Sequence, residues 1–440
     1  MTRSLRDFVP LTENVVNMYV CGPTVYNYIH IGNARSAVAF DTIRRYFEYC
    51  GYTVNYISNF TDVDDKIIKA ANEAGISTKE LSDKFIAAFM EDTAQLGIKP
   101  ATQNPRVINY MDEIIAFVSA LVDKGFAYVS EGDVYFRVAK SNNYAKLANK
   151  TLEDLEIGAS GRTDAETERK ENPLDFALWK AAKEGEVSWD SPWGPGRPGW
   201  HIECSVMATE ILGDTIDIHG GGADLEFPHH TNEIAQSEAK TGKTFANYWM
   251  HNGFVNVDNE KMSKSLGNFV TVHDMLKTVD GQVLRFFLAT QQYRKPINFT
   301  EKAIHDAEVN LKYLKNTHSL PLTDQVNQDE LQTYLEAFQE AMDDDFNTAN
   351  GVTVLFDMAK WINSGNYDQT VKDAFEKMLQ VFGIVFEEEV LDEYIEKLIE
   401  ERQAARANKD FATADRIRDE LAAQGIKLLD TKDGVRWTRD

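Results

Sequence analysis

The segment over residues 17–58 constrains the fold most, because it has the pattern of a strand, a loop, a helix and a second strand. The apolar run over 17–21 predicts a short buried strand, which Gly22 and Pro23 end. Apolar residues at helical spacing over 34–49 predict a helix, and the residues 52–58 have the pattern of another strand. Such a unit is typical of a doubly wound parallel α/β sheet.

The loop of this unit contains His30, Ile31, Gly32 and Asn33 at the start of the predicted helix. Backbone N–H groups and the helix dipole favour a phosphate group at such a position. Gly32 lets a nucleotide approach the backbone, and His30 can donate a hydrogen bond to phosphate oxygens. Considered alone, these residues are explained equally well as a turn with a surface histidine.

A second short pattern, Lys-Met-Ser-Lys-Ser over 261–265, lies past the middle of the chain. Transfer of a nucleotidyl group spreads negative charge over phosphate oxygens, and the side chains of Lys261 and Lys264 can stabilise that charge. A solvated lysine loop is the alternative. The two patterns together resemble the signatures of class I aminoacyl-tRNA synthetases, with Asn33 at the position of the second histidine of that class.

Three cysteines occur, Cys21, Cys50 and Cys204, too few for a disulfide framework and typical of a reducing compartment. His229 and Glu233 follow Pro228 at a spacing that places both on one helix face. Together with Cys21 and Cys204 they offer a ligand set suited to tetrahedral zinc. The spacing leaves open that the cysteines are small buried apolar residues, and this interpretation is kept for Cys50.

Four segments then resemble the cysteinyl-tRNA synthetase family, namely 21–24 (CGPT), 199–204 (GWHIEC), 217–222 (DIHGGG) and 227–230 (FPHH) followed by Glu233. The resemblance implies that Cys21, Cys204, His229 and Glu233 hold one zinc ion per chain, which binds the thiolate of substrate cysteine. A pocket alone rejects a wrong small side chain by only ~10 to 200-fold, so a metal that prefers a thiolate to a hydroxyl has a clear use.

The resemblance also implies the other contacts of the active site. It assigns the cysteine pocket to Gly22, Thr24, Trp200 and His219, with core packing as the alternative for Trp200. It assigns ATP binding, with Mg²⁺, to His30, Gly32, Asn33, Asp224 and Lys264. The residues expected to act in catalysis are His30, Asn33, Lys261 and Lys264, and no side chain is expected to act as a nucleophile.

The 440 residues predict several domains. We expect a Rossmann-type doubly wound catalytic domain over 1–300, with an insertion over about 100–199 and a lysine-loop region over about 255–300. The insertion is expected to be helical at first and then irregular and polar over 158–172. The resemblance implies that a helical tRNA-binding bundle over 301–386 and a small α+β anticodon-binding domain over 387–440 follow. The acidic run 343–345 is interpreted as the start of a helix in the bundle.

The last segment predicts an amphipathic helix that Gly425 ends, followed by a hairpin of residues 426–430 and 435–439. Trp437, flanked by Arg436 and Arg439, can stack on and pair with single-stranded bases. A tryptophan that closes a very small core is the alternative. Resemblance to the anticodon-binding end of the family favours the first, and the net charge of -24 requires any basic tRNA footprint to be local.

The motifs and the resemblance together therefore imply a ligase that activates L-cysteine with ATP and charges tRNA(Cys). One alternative is a ligase of the same ancestry that joins activated cysteine to an amino sugar, which lacks the tail. The other is a non-catalytic zinc-binding or tRNA-binding relative, which would not need both His30 and Lys264. Neither a bilayer-spanning apolar run nor a signal-peptide core is present, so we expect a cytoplasmic protein without membrane contact. We also expect a monomer.

Overall fold

The computed structural model of the chain describes residues 2–142, 144–151, 167–262, 267–324, 326–386, 393–431 and 434–439. The chain forms two compact units, Met1–Val385 and Phe386–Asp440. Among the described residues, no helix has the length and apolar character needed to cross a membrane.

The strand, loop, helix and strand predicted from the sequence are present in the larger unit. They are β1 (Val15–Val20), α1 (Ile31–Tyr49) and β2 (Thr53–Ser58). Alternate residues of β1 face two different cores, so that Met18 packs with residues of α1 whereas Tyr19 packs on the opposite face. Two further helices, α2 (Asp65–Ala74) and α3 (Thr78–Gln95), follow β2.

The segment predicted as an insertion contains a helix and an antiparallel sheet. The elements are α4 (Met111–Asp123), β3 (Ala127–Ser130), β4 (Asp133–Phe136), β5 (Phe176–Ala181) and β6 (Gly196–Pro198), and the strands pair in sequence order. The sequence predicted the helix but not this sheet. Strands of three to six residues are too short to show a clear period. Most of the polar stretch expected over 158–172 lies outside the described residues.

The second half of the parallel sheet follows the insertion. Its elements are α5 (Trp200–Leu212), β7 (Ile216–Gly222), α6 (Thr231–Thr241) and β8 (Ala246–Asn252). The strand order is β2, β1, β7, β8, and every neighbouring pair is parallel. This order confirms the predicted doubly wound sheet. Because the chain passes from β1 to β2 on one side and later adds β7 on the other, ligands are expected at the carboxyl ends of β1 and β7.

The region around the lysine signature forms a small sheet and two helices. The elements are β9 (Val255–Val257), β10 (Glu260–Lys261), α7 (Val272–Met275), α8 (Gly281–Ala289) and β11 (Ile297–Phe299). Strand β9 pairs in antiparallel fashion with β10 and in parallel with β11. Lys264 lies outside the described residues.

The helices of the predicted bundle are α9 (Glu301–His318), α10 (Gln328–Asp343), α11 (Thr348–Asn363) and α12 (Gln369–Val381). A buried ion pair fixes the end of α12 to the catalytic helices. Arg285 of α8 lies 2.7 Å from Asp41 of α1, and its Nε donates to the carbonyl of Phe382 at 2.8 Å. Arg45 also pairs with Asp41 at 2.7 Å and donates to the carbonyl of Gln380.

The acidic run 343–345 does not start a helix, which corrects the interpretation made from the sequence. Asp343 is the last residue of α10, and α11 is capped by Asn347. The carboxylates instead accept hydrogen bonds from catalytic-domain tyrosines, Asp343 from Tyr46 at 2.6 Å and Asp345 from Tyr293 at 3.0 Å. These tertiary partners, which the local sequence does not reveal, determine where the run lies.

The smaller unit contains α13 (Glu393–Ala407), α14 (Phe411–Ala423) and a hairpin of β12 (Ile426–Thr431) and β13 (Gly434–Arg439). The helix and the hairpin are close to those expected from the sequence. Its small core consists of five buried side chains, Ile395, Leu398, Ile417, Leu421 and Ile426.

Candidate active site

The segment that follows the lysine signature reaches the amino end of α1. The N–H of Ile31 donates to the carbonyl of Val270 at 3.1 Å, and the N–H of Val272 donates to the carbonyl of Ile29 at 2.9 Å. A Cβ built on Gly32 would lie 2.9 Å from the ring of His30, so a side chain there would displace that ring. The segment that follows the lysine signature therefore crosses directly over the histidine turn, which consists of residues 29–33.

His30 and Asn33 cap helix α1 reciprocally. Nδ1 of His30 accepts from the N–H of Asn33, and Oδ1 of Asn33 accepts from the N–H of His30, both at 3.2 Å. A neutral imidazole that accepts at Nδ1 carries its proton on Nε2, which is then a donor. The cap thus fixes the tautomer of His30, and the expected contact with phosphate stays a prediction.

The four predicted metal ligands converge at the carboxyl end of β1. Cys21 follows β1, Cys204 lies on α5, Glu233 lies in the first turn of α6, and His229 lies just before that helix. The two Sγ atoms are 3.6 Å apart, Sγ of Cys21 is 3.4 Å from Oε1 of Glu233, and Nε2 of His229 is 3.0 Å from the same oxygen.

These distances match the size of a zinc site. Zinc bonds of about 2.3 Å to sulfur and about 2.0 Å to nitrogen or oxygen give tetrahedral edges of about 3.3 to 3.8 Å. All four ligand atoms lie within 4.8 Å of one another. The residues present therefore fit a tetrahedral ion in both donor chemistry and spacing.

Two further histidines, His219 and His230, surround Glu233. Nε2 of His219 lies 2.7 Å from Oε2 of Glu233, and Nε2 of His230 lies 3.4 Å from Sγ of Cys21. A second group of possible ligands thus consists of Cys21, His219, His230 and Glu233. Glu233 directs Oε1 to Cys21 and His229, and it directs Oε2 to His219. His219 therefore orients the carboxylate, as outer partners of metal ligands commonly do. The sequence assigned no role to His230, although it directly follows His229.

Burial and neighbouring charges shift the pKa values of the cluster. Burial and the neighbouring Cys204 raise the pKa of the Cys21 thiol well above its usual value. A hydrogen bond from Cys21 lowers the pKa of Cys204 to about 6. Burial disfavours the charged form of His229, but Glu233 and Cys204 outweigh it and raise its pKa to about 10. A metal cation can take the place of the protons on Cys21 and His229.

The predicted cysteine-pocket residues lie beside this cluster. Trp200 stacks on His229 with ring centroids 4.2 Å apart, and 40% of its surface is exposed, so it is not a core residue. His219 is fully buried and stacks on Trp249 at 4.6 Å. Its Nδ1 has no hydrogen-bond partner among the described residues.

Close backbone contact fixes the loop after Cys21. A Cβ on Gly22 would lie 1.7 Å from the carbonyl oxygen of Asn59, so only glycine fits. The Asn59 side chain accepts from the N–H of Gly22 at 3.0 Å and lies 3.7 Å from Sγ of Cys204. The backbone of Thr24 forms an isolated parallel β-bridge with that of Thr61. Asn59, which the sequence analysis missed, directly follows β2 at the ligand-binding edge of the sheet.

The remaining predicted residues lie on the surface or in the smaller unit. Asp224 and Lys261 are exposed. Trp437 of β13 packs partly buried against the small core of its unit, as the core interpretation expects. Its role in tRNA binding, together with that of Arg436 and Arg439, stays a prediction.

Comparison with known proteins defines the class. The family described as tRNA synthetases class I (C) catalytic domain matches residues 7–309. The structure of Mycobacterium tuberculosis methionyl-tRNA synthetase in complex with methionyl-adenylate has the same fold, with a TM-score of 0.61 and 15% identity over 84% of this chain and 88% of that chain. The chain therefore has the fold and the catalytic domain of a class I aminoacyl-tRNA synthetase.

The remaining matches define the family. A cysteine–tRNA ligase of Streptococcus thermophilus strain CNRZ 1066 is 94% identical over all of this chain and 98% of its own length, and one of Streptococcus agalactiae serotype III strain NEM316 is 82% identical over the same shares. A DALR domain matches residues 337–387, and a cysteinyl-tRNA ligase anticodon binding domain matches 388–437. The chain belongs to the cysteine–tRNA ligase family, which confirms the family and enzyme class predicted from the sequence.

Proposed function

We propose that the enzyme activates L-cysteine with ATP and Mg²⁺ and transfers the cysteinyl group to tRNA(Cys), with one zinc ion per chain selecting the substrate thiolate. The observation that carries this proposal is the convergence of two thiols, an imidazole and a carboxylate within 4.8 Å of one another. They lie at the switch point of the sheet, where Cys21 begins the loop that leads from β1 to the histidine turn.

Amino-acid selection is assigned to the buried cluster. Cys21, Cys204, His229 and Glu233 hold the ion, and His219 orients Glu233 through Oε2. When bound, zinc supplies a site that prefers a thiolate to a neutral hydroxyl. Trp200, Gly22 and Thr24 line the pocket beside it.

Nucleotide chemistry is assigned to the two signatures. In the first step the cysteine carboxylate attacks the α-phosphorus of ATP, and pyrophosphate leaves. Nε2 of His30, the amide of Asn33 and the cations of Lys261 and Lys264 stabilise the charge on the phosphate oxygens. Gly32 allows close approach of the nucleotide, and Asp224 contacts the adenosine part. In the second step a hydroxyl of the terminal ribose of tRNA attacks the carbonyl carbon, and AMP leaves.

Recognition of tRNA is assigned to the rest of the chain. The insertion over 100–199 handles the acceptor end, the bundle over 301–386 contacts the stem, and the domain over 387–440 binds the anticodon through Arg436, Trp437 and Arg439. The enzyme is proposed to act as a monomer. The reduced thiols of Cys21 and Cys204, 3.6 Å apart, suit the cytoplasm.

The test is a two-stage assay on the zinc-loaded enzyme. We expect labelled pyrophosphate to exchange into ATP when cysteine is present but not when serine is, and the label of cysteine to appear on tRNA(Cys). If a chelator removes the metal and cysteine is still selected over serine, the zinc assignment is wrong. Exchange without transfer to tRNA would contradict the tRNA assignment.

A further inference from the structure

The segment after the lysine signature is held on the histidine turn by little main-chain pairing. The two hydrogen bonds between Ile29 or Ile31 and Val270 or Val272 are the backbone contacts of this crossing in the described residues. A hydrogen bond contributes only about 0.5 to 1.5 kcal/mol net. Side-chain contacts add to these two bonds, including that of Phe269 with the ring of His30, with centroids 5.4 Å apart, and the burial of Val272.

His273 supplies such contacts. It is the second residue of α7, and its ring stacks on that of Tyr28, with centroids 4.3 Å apart and an angle of 18°. Tyr28 lies two residues before His30, so the stack links the two sides of the crossing. Nδ1 of the same ring lies 3.2 Å from Oδ1 of Asp92, which belongs to α3.

The contact with Asp92 is important because this carboxylate is buried. Its side chain is 1% exposed, and its Oδ2 has no hydrogen-bond partner among the described residues. Burial raises the pKa of this carboxylate, and the acidic Glu91 and Asp274 raise it further, whereas the hydrogen bond from His273 lowers it. An imidazole that donates to the buried carboxylate is therefore strongly favoured, because an unpaired buried charge is costly.

We propose that His273 is a positioning residue for adenylate formation, which fixes the segment after the lysine signature against the histidine turn through Tyr28 and Asp92. This inference rests on the proposed role of Lys264 as the cation that stabilises the reacting phosphate. His273 does not touch substrate. It acts indirectly, because it fixes the segment that follows Lys264 in the chain and so restricts the position of Lys264.

A double-mutant cycle tests the proposal. His273→Phe keeps the ring but removes the donor to Asp92, and it should lower the single-turnover rate of adenylate formation about 10-fold, with the KM for cysteine unchanged. In a Lys264→Ala background the same change should alter the rate less than about 2-fold, because the group it positions is absent. His305→Phe, at an exposed histidine of α9, is the matched control and should be neutral.

The outcomes separate the inference from the function on which it rests. If Lys264→Ala alone leaves the rate unchanged, the proposed role of Lys264 is wrong. If Lys264→Ala slows the reaction but His273→Phe slows both backgrounds equally, His273 contributes only general stability and the inference is overturned. Should His273→Phe not fold, His273→Asn, which retains an amide donor near the position of Nδ1, must restore most of the rate, and failure to do so overturns the inference as well.

Discussion

Replacement of Cys204 by serine tests the metal centre most directly. The hydroxyl of serine has a shorter bond to Cβ and stays neutral, so one of four ligands within 4.8 Å of one another is lost. Loss of an outer partner of a metal ligand already costs about 10 to 100-fold in metal affinity. We therefore expect Cys204→Ser to weaken zinc binding at least about 100-fold, which corresponds to about 2.7 kcal/mol.

The same change should alter substrate selection. Without the metal contact, preference for cysteine over serine should fall to the ~10 to 200-fold that a pocket alone provides, while ATP binding remains. The assays are zinc content after dialysis against a chelator and the ratio of cysteine-dependent to serine-dependent pyrophosphate exchange. Cys50→Ser, the same chemical change at an exposed cysteine after α1, is the matched control. A Cys204→Ser protein that keeps one zinc ion and full selection would refute the ligand assignment.

Three further changes address other parts of the enzyme. Lys264→Ala should lower the single-turnover rate of adenylate formation by about 10² to 10³, because a charge-stabilising contact is lost, with cysteine binding unchanged; an unaltered rate would remove it from the mechanism. Truncation before residue 387 should leave pyrophosphate exchange largely intact and sharply reduce charging of tRNA(Cys), and equal charging would contradict the anticodon assignment. Burial disfavours the charge of Asp41, but Arg285 and Arg45 outweigh it and lower its pKa. Its contribution to stability is thus present above the unfolded pKa of about 3.9 and is lost as the pH falls further. Asp41→Asn should lower the free energy of unfolding by about 3 to 5 kcal/mol at pH 7, and urea denaturation should show that this difference shrinks below about pH 4; a difference that stays constant would contradict the ion-pair assignment.

Local sequence patterns predicted the catalytic sheet well, because the unit from β1 to β2 depends on short-range periodicity and on loop residues such as Gly22. The convergence of Cys21, Cys204 and His229 was a different matter. These residues come from three separated segments. Their residue types were suited to zinc, but only the resemblance to a family assigned them to one site. The strand order brings these segments together and determines the geometry of the cluster, and local sequence patterns do not reveal that order.

Contacts made by tertiary packing were beyond the sequence. The run 343–345 was misplaced because its partners, Tyr46 and Tyr293, lie in a distant part of the chain. Asn59 and His230 were missed for a similar reason, since each acquires its neighbours only when β1, β2 and β7 lie side by side. For Trp437 the sequence left two interpretations open, stacking on bases and packing in a small core. The observed packing is that of the second.

The ion pair between Asp41 and Arg285 has a consequence for how the larger unit can be divided. Arg45 and Arg285 donate to the carbonyls of Gln380 and Phe382, and Gly383, with a φ of +74°, leaves room for the Arg285 guanidinium. A fragment ended at residue 300 would leave both guanidinium groups without these acceptors. A piece of the chain that contains the catalytic sheet and keeps these contacts must therefore extend through Gly383.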